Sequence, residues 1–194
     1  MIPSVYWDSD AFLAIINQDK STIEMAGCNN TWSACEKGLL HIITSTLTTA
    51  EVIYMKGTPK LDPSKRISVS NFFRQHFISQ KPLTREIAEL ARDVVWDSNI
   101  LPKDAVHVAT CAFYKIKLLH TFDRNLVDKD IIDVNGFKLK VEKPYVGAQT
   151  QMEIPIENPE KNNEKDSSKF DDTLKRMLST PPKPDPKQQK ETSK

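Results

Sequence analysis

Short apolar runs separated by amphipathic stretches organise the chain as far as about Val146. Val5-Tyr6-Trp7 is brief, apolar and β-favouring, and predicts a buried strand almost at the first residue. Behind it, Ser9 or Asp10 is placed to cap a helix over about Ala11–Gln18, with Phe12, Leu13, Ile15 and Ile16 on its apolar face. A second helix fits Ile23–Lys37 and is ended by Gly38. Leu39–Thr44 reads as the second strand. A helix over about Thr48–Met55 follows, then one over Ile67–Phe77 and a short strand at Phe77-Ile78-Ser79. Thr84 caps a helix to about Trp96, apolar at Ile87, Leu90, Ala91, Val94 and Val95. Pro102 suits the first turn of another, lasting to about Lys115, with Ala105, Val108, Ala109, Ala112 and Phe113 inward. Leu118–Thr121 and Phe137–Val141 are the remaining predicted strands. Strands separated by helices point to an α/β fold, a parallel central sheet flanked by helices on both faces.

The pattern stops at Gly147. Residues 147–194 are rich in Pro, Lys, Glu, Asn and Ser and offer too little apolar surface to offset the entropy of ordering. The expected organisation is therefore a domain over 1–146 and a mostly disordered tail. One piece of the tail differs: Phe170, Leu174, Met177 and Leu178 recur at helical spacing, with Asp171 and Asp172 ahead and Lys175 and Arg176 behind. A short amphipathic helix near 168–178 is expected, docking on a protein partner or on the chain's own domain. A second copy of the chain is also admitted as a partner.

Composition changes this picture little. Of 194 residues 39% are hydrophobic, and the formal net charge of +1 neither demands nor excludes a nucleic-acid substrate, since a local basic rim suffices to guide phosphates. Cys28, Cys35 and Cys111 form no CxxC pair, and buried thiols in a reducing, cytoplasmic setting are expected. No secretory signal is visible, and no run approaches the ~18 apolar residues of a membrane span.

The candidate chemistry lies in four acids beside apolar segments: Asp8 after the first strand, Glu51, Asp104, and Asp123. In parallel α/β sheets ligands bind outside the carboxyl ends of strands, and these four are expected to share that edge. Carboxylates gathered without a matching Lys or Arg call for a hard divalent cation. Each acid also has a local explanation. Asp8 and Asp104 suit the positive end of a helix dipole, Glu51 completes a capping box with Thr48, and Asp123 opens a turn. His107, one turn after Asp104, is either a further ligand or a packing residue.

Four segments carry a resemblance: VYWDSDAFLA (5–14), TSTLTTAEVIY (44–54), PLTREIAELARDV (82–94) and ILPKDAVHVATCAFYKIKLLHTFDRNL (100–126). They resemble the signature segments of PIN-domain ribonucleases, and are particularly similar to the branch containing VapC-type toxins. The resemblance runs from about residue 4 to about residue 143. Its most specific part is Asp104-Ala105-Val106-His107-Val108-Ala109-Thr110, followed by a strand and Thr121-Phe122-Asp123. It implies a PIN-like sheet and a Mg²⁺ or Mn²⁺ site that cleaves RNA, with Asp8, Glu51, Asp104 and Asp123 as the catalytic, metal-holding residues. Ser9 and Thr121 stand where the family often carries hydroxyls, and are expected to orient the carboxylates. Lys103, Arg124 and Arg85 are candidates for phosphate contact.

Three departures stand out. Asp10 occupies a place where a small hydroxyl residue is commoner, Asn125 one where many relatives carry a further acid, and the tail extends well past the domain. The leading expectation is a metal-dependent endoribonuclease, a toxin or an RNA-processing enzyme. Its rival is a catalytically silent PIN-like binding module acting through the tail. A divalent-metal phosphatase is disfavoured, because no Asp-x-Asp pair with a downstream Lys stands out.

Overall fold

The computed structural model describes residues 2–17, 22–53 and 60–144, the side chains of 17 and 22–24 excepted. The expected tail helix and its apolar stripe lie outside the described residues, as does the end of the helix predicted to reach Met55. Six strands form one sheet in the order β3-β2-β1-β4-β6-β5: β1 Ser4–Trp7, β2 His41–Ser45, β3 Ile78–Lys81, β4 Leu118–His120, β5 Ile131–Val134 and β6 Phe137–Glu142. Five run parallel, and only β5 pairs antiparallel, with β6. The helices are α1 Ser9–Asn17, α2 Thr22–Glu36, α3 Thr46–Glu51, α4 Arg66–Phe72, α5 Arg85–Ser98, α6 Pro102–Tyr114 and α7 Arg124–Val127. The α/β architecture expected from the sequence is the one observed.

Strand alternation divides the interior into two cores. Val5 and Trp7 point to one face of β1 and pack with Phe12, Trp32, Phe72 and Phe77, among residues of α1, α2 and α4. Trp32 anchors this side, with ring centroids 4.6 Å from Phe72 and 4.9 Å from Phe77. Tyr6 points the other way, into a core with Ile87, Val94, Val108, Leu119 and Leu139 under α5 and α6. Cys28, Cys35 and Cys111 are all buried, and none joins a disulfide. No described helix is long and apolar enough to cross a membrane.

Several expected boundaries shift, for identifiable reasons. Helix α1 starts at Ser9 because Asp8, rather than Ser9 or Asp10, caps it, its Oδ1 accepting from the Ala11 N–H at 3.1 Å. Helix α4 stops at Phe72, five residues before the predicted Phe77, because the following segment supplies an edge strand that pairs Ile78 with Ile42. The largest omission is β5. It forms a hairpin with β6 through Asn135-Gly136, both at positive φ (52° and 83°), as a two-residue turn of this hand requires.

Candidate active site

Strands β2, β1 and β4 lie side by side and parallel, so the segments leaving their carboxyl ends meet at one edge. Asp8 follows β1 directly, α3 leaves β2, and Thr121 to Asp123 follow β4. Helix α6 brings Lys103, Asp104 and His107 to the same place, the last two one turn apart on one face. Pro102 begins this helix, where its missing N–H costs nothing, and Leu101 occupies the cap position in extended backbone.

Glu51 is not where the capping-box reading puts it. Helix α3 begins at Thr46, capped by the Ser45 side chain accepting from the Leu47 N–H, so Glu51 is the last residue of the helix rather than in its first turn. Thr48 is fully buried, its hydroxyl 2.8 Å from that of Thr44. Nor is the cluster without a matching cation. Lys103 Nζ lies 2.8 Å from Glu51 Oε1, and His107 Nε2 lies 3.0 Å from Glu51 Oε2. Burial alone would raise the Glu51 pKa. The hydrogen bonds and charges of His107 and Lys103 outweigh it and hold the carboxyl below its usual range.

The other acids are driven the opposite way. Asp8, only 5% exposed, is pushed up to about 7, chiefly by burial and then by the charge of Asp10. His107, the Thr121 hydroxyl and the Ala11 N–H restrain that rise. Asp104 is raised by burial, then by Asp123, with Glu51 adding to it and His107 and Lys103 opposing. Asp104, Asp123 and Glu51 thus share one electrostatic neighbourhood, and His107 acts on both Asp8 and Asp104. The Thr121 hydroxyl also accepts from the Asp123 N–H at 3.0 Å, tying Asp8 to the turn after β4. Asp123 caps α7, its Oδ1 accepting from the Asn125 N–H at 2.7 Å.

The remaining candidates are less engaged. Ser9 opens α1 half-buried and makes no hydrogen bond to the four acids among the described residues. Arg124 is exposed beside Asp123, and Arg85 is drawn into an ion pair with Glu89 at 2.9 Å. Among the described residues no three His, Cys, Asp or Glu side chains close tightly enough to ring a metal ion. Both Glu51 oxygens are turned to other partners. The four acids nonetheless offer only carboxylate oxygens, and a nearby cation would relieve the raised pKa values of Asp8 and Asp104. The set fits Mg²⁺ or Mn²⁺ in chemistry, and Mg²⁺ characteristically keeps several waters and uses one or two direct carboxylates.

Tyr6 gains importance only here. Its Oη is 2.8 Å from His107 Nδ1, so the imidazole joins a strand residue to Glu51. The signal for Tyr6 was present in the alternation of β1, which turns it away from Val5 and Trp7 toward α6.

A family model described as the PIN domain matches residues 5–132. Over 69 residues the chain is 28% identical to Ribonuclease VapC6 of Methanocaldococcus jannaschii. That match covers 36% of this chain and 45% of the relative, so it spans less than half of the relative's length. Among solved structures, the crystal structure of Mycobacterium tuberculosis VapC20, described as a sarcin-ricin loop cleaving toxin, has a TM-score of 0.48 at 12% identity, over 61% of this chain and 89% of that one. The family model runs from β1 into β5, over more than half of the sequence, and the chain belongs to the PIN domain family.

Proposed function

We propose that this chain is a divalent-metal-dependent endoribonuclease of the VapC type, using Asp8, Glu51, Asp104 and Asp123 on Mg²⁺ or Mn²⁺. The observation that carries the reading is the shared field of Asp104, Asp123 and Glu51 at the carboxyl edge of a PIN-domain sheet, with Asp8 joined to it through Thr121 and His107. Family membership and a partial match to a protein named as a ribonuclease support RNA as the substrate. A bound Mg²⁺ or Mn²⁺ would supply Lewis acidity and a hydroxide-like water at neutral pH.

The chain's own residues supply the rest. Asp8, Asp104 and Asp123 offer oxygen donors from three different elements, and Thr121 holds Asp8 against the turn that carries Asp123. Glu51 is held in place by His107 on one oxygen and Lys103 on the other. The exposed Lys103 and Arg124 flank the acids and are suited to meet a phosphodiester, while Arg85 is spent on Glu89. The test is cleavage of RNA by the full chain after chelation and on addition of Mn²⁺ or Mg²⁺, beside Asp104→Asn. Activity is expected only with added metal, and the variant should fall by more than the 10–100-fold that losing an outer partner of a ligand typically costs, about 100-fold or beyond. Undiminished cleavage in chelator, or by the variant, overturns the proposal.

A further inference from the structure

We infer that Tyr6 and His107 form a positioning couple for Glu51, fixing one carboxylate oxygen so that the other is presented to a cation when Lys103 withdraws. This rests on the metal-dependent reading above and deepens it. Both Glu51 oxygens are engaged, but by unequal partners. Lys103 is 71% exposed on a flexible stem, whereas the His107 side chain is 3% exposed and clamped between Tyr6 and Glu51.

The hydrogen-bond directions follow from the groups. An ionised carboxylate only accepts, so His107 Nε2 carries the hydrogen and donates to Glu51 Oε2. Nδ1 accepts the O–H of the buried Tyr6 phenol when the ring is neutral and donates to its oxygen when the ring is protonated. Either way each ring nitrogen has one partner, and the ring is not free to turn. The scaffold behind it is rigid as well. Tyr6 lies in β1, fully buried, between β2 and β4. The neighbouring Thr44 hydroxyl donates to the Trp7 carbonyl at 2.7 Å and abuts Thr48 of the helix that carries Glu51. Of the two contacts on Glu51, the Lys103 ion pair is the one able to open without disturbing the core.

The experiment measures Mn²⁺ affinity of the full chain at fixed pH by electron paramagnetic resonance, together with thermal midpoints, for wild type, Tyr6→Phe, His107→Gln and His107→Leu. Tyr6→Phe and His107→Leu are also made in a Glu51→Gln background. His107→Leu should weaken Mn²⁺ binding by about 10–100-fold, and Tyr6→Phe by a smaller factor. His107→Gln, which keeps an N–H at nearly the same reach, should recover most of the loss. In the Glu51→Gln background Tyr6→Phe should have no further effect and His107→Leu only the small residue of its field on Asp8 and Asp104, because the hydrogen-bonded route to the metal is gone. Equal losses in the Leu and Gln variants, or losses undiminished without Glu51, overturn the inference. If His107→Leu does not fold, Tyr6→Phe and its cycle with Glu51→Gln decide alone, and wild-type affinity in a folded Tyr6→Phe overturns it. A wild-type chain that binds no Mn²⁺ removes both this inference and the functional reading. Wild-type binding unchanged in every variant removes the inference only.

Discussion

At the scale of single residues, Asp8 carries the clearest consequence. Its carboxyl is buried at the end of β1 beside Asp10, and its pKa is pushed from 3.8 to about 7. A carboxyl raised on folding favours the folded state while it is protonated. Below about pH 4 the folded and unfolded chains are both protonated at this site, and it costs nothing. Between pH 4 and 7 the unfolded chain ionises and the folded one does not, so stability falls as pH rises, and the loss is complete above 7. Asp104 shifts in the same direction, whereas the depressed Glu51 contributes stability that is lost as pH falls below its ordinary 4.5. The two effects therefore occupy different windows. Asp8→Asn keeps the oxygen that accepts from Ala11 and removes the charge. In chelator, it should be more stable than wild type at pH 8, and its urea midpoints should decline less from pH 5 to 8. Added Mg²⁺ or Mn²⁺ should stabilise wild type more than the variant. Parallel pH curves for the two chains would contradict this account.

At the scale of elements, the site depends on how α3 leaves β2. Ser45 ends the strand and caps the helix, so loss of its hydroxyl loosens the segment that delivers Glu51. Thr84 caps α5 in a comparable way, accepting from the Ile87 N–H, but α5 carries none of the four acids. Ser45→Ala and Thr84→Ala should each cost about 1 kcal/mol in urea melts. Only Ser45→Ala should also lower RNA cleavage, and equal losses of activity would show that α3 is not special. The contrast marks what the sequence makes legible. Thr84 was readable because its helix has a strong apolar face directly behind it. The place of Glu51 is hidden because Thr48-x-x-Glu51 satisfies a capping pattern locally, while the cap that forms is Ser45. Strand β5 is legible, since Asn135-Gly136 sits between the alternating pairs Ile132, Val134 and Phe137, Leu139. The contacts of Glu51 with Lys103 and His107 span more than fifty positions of sequence, and Tyr6 and His107 are 101 apart. No local pattern specifies such pairs. They follow only once the strand order brings β1, α3 and α6 together.

At the scale of the whole molecule, the question is where the cooperative unit ends. Both cores lie between Val5 and Val141, and the described chain closes with Pro144 buried just beyond β6. Strand β6 is interior to the sheet, with β4 on one side and β5 on the other, and contributes Leu139 and Val141 to the core. Residues 147–194 add few groups that gain by burial apart from the stripe at Phe170, Leu174, Met177 and Leu178. A chain ending at 146 should therefore have the unfolding free energy of the full chain in urea melts, to within about 0.5 kcal/mol. Its denaturant slope should also be unchanged, because that slope follows the surface exposed on unfolding. A chain ending at 138 removes most of β6 and should not fold. If the chain ending at 146 instead loses more than about 1 kcal/mol and its slope falls, the tail packs on the domain. The apolar stripe would then be the segment to substitute next, with Leu174→Asp expected to reproduce the loss in the full chain.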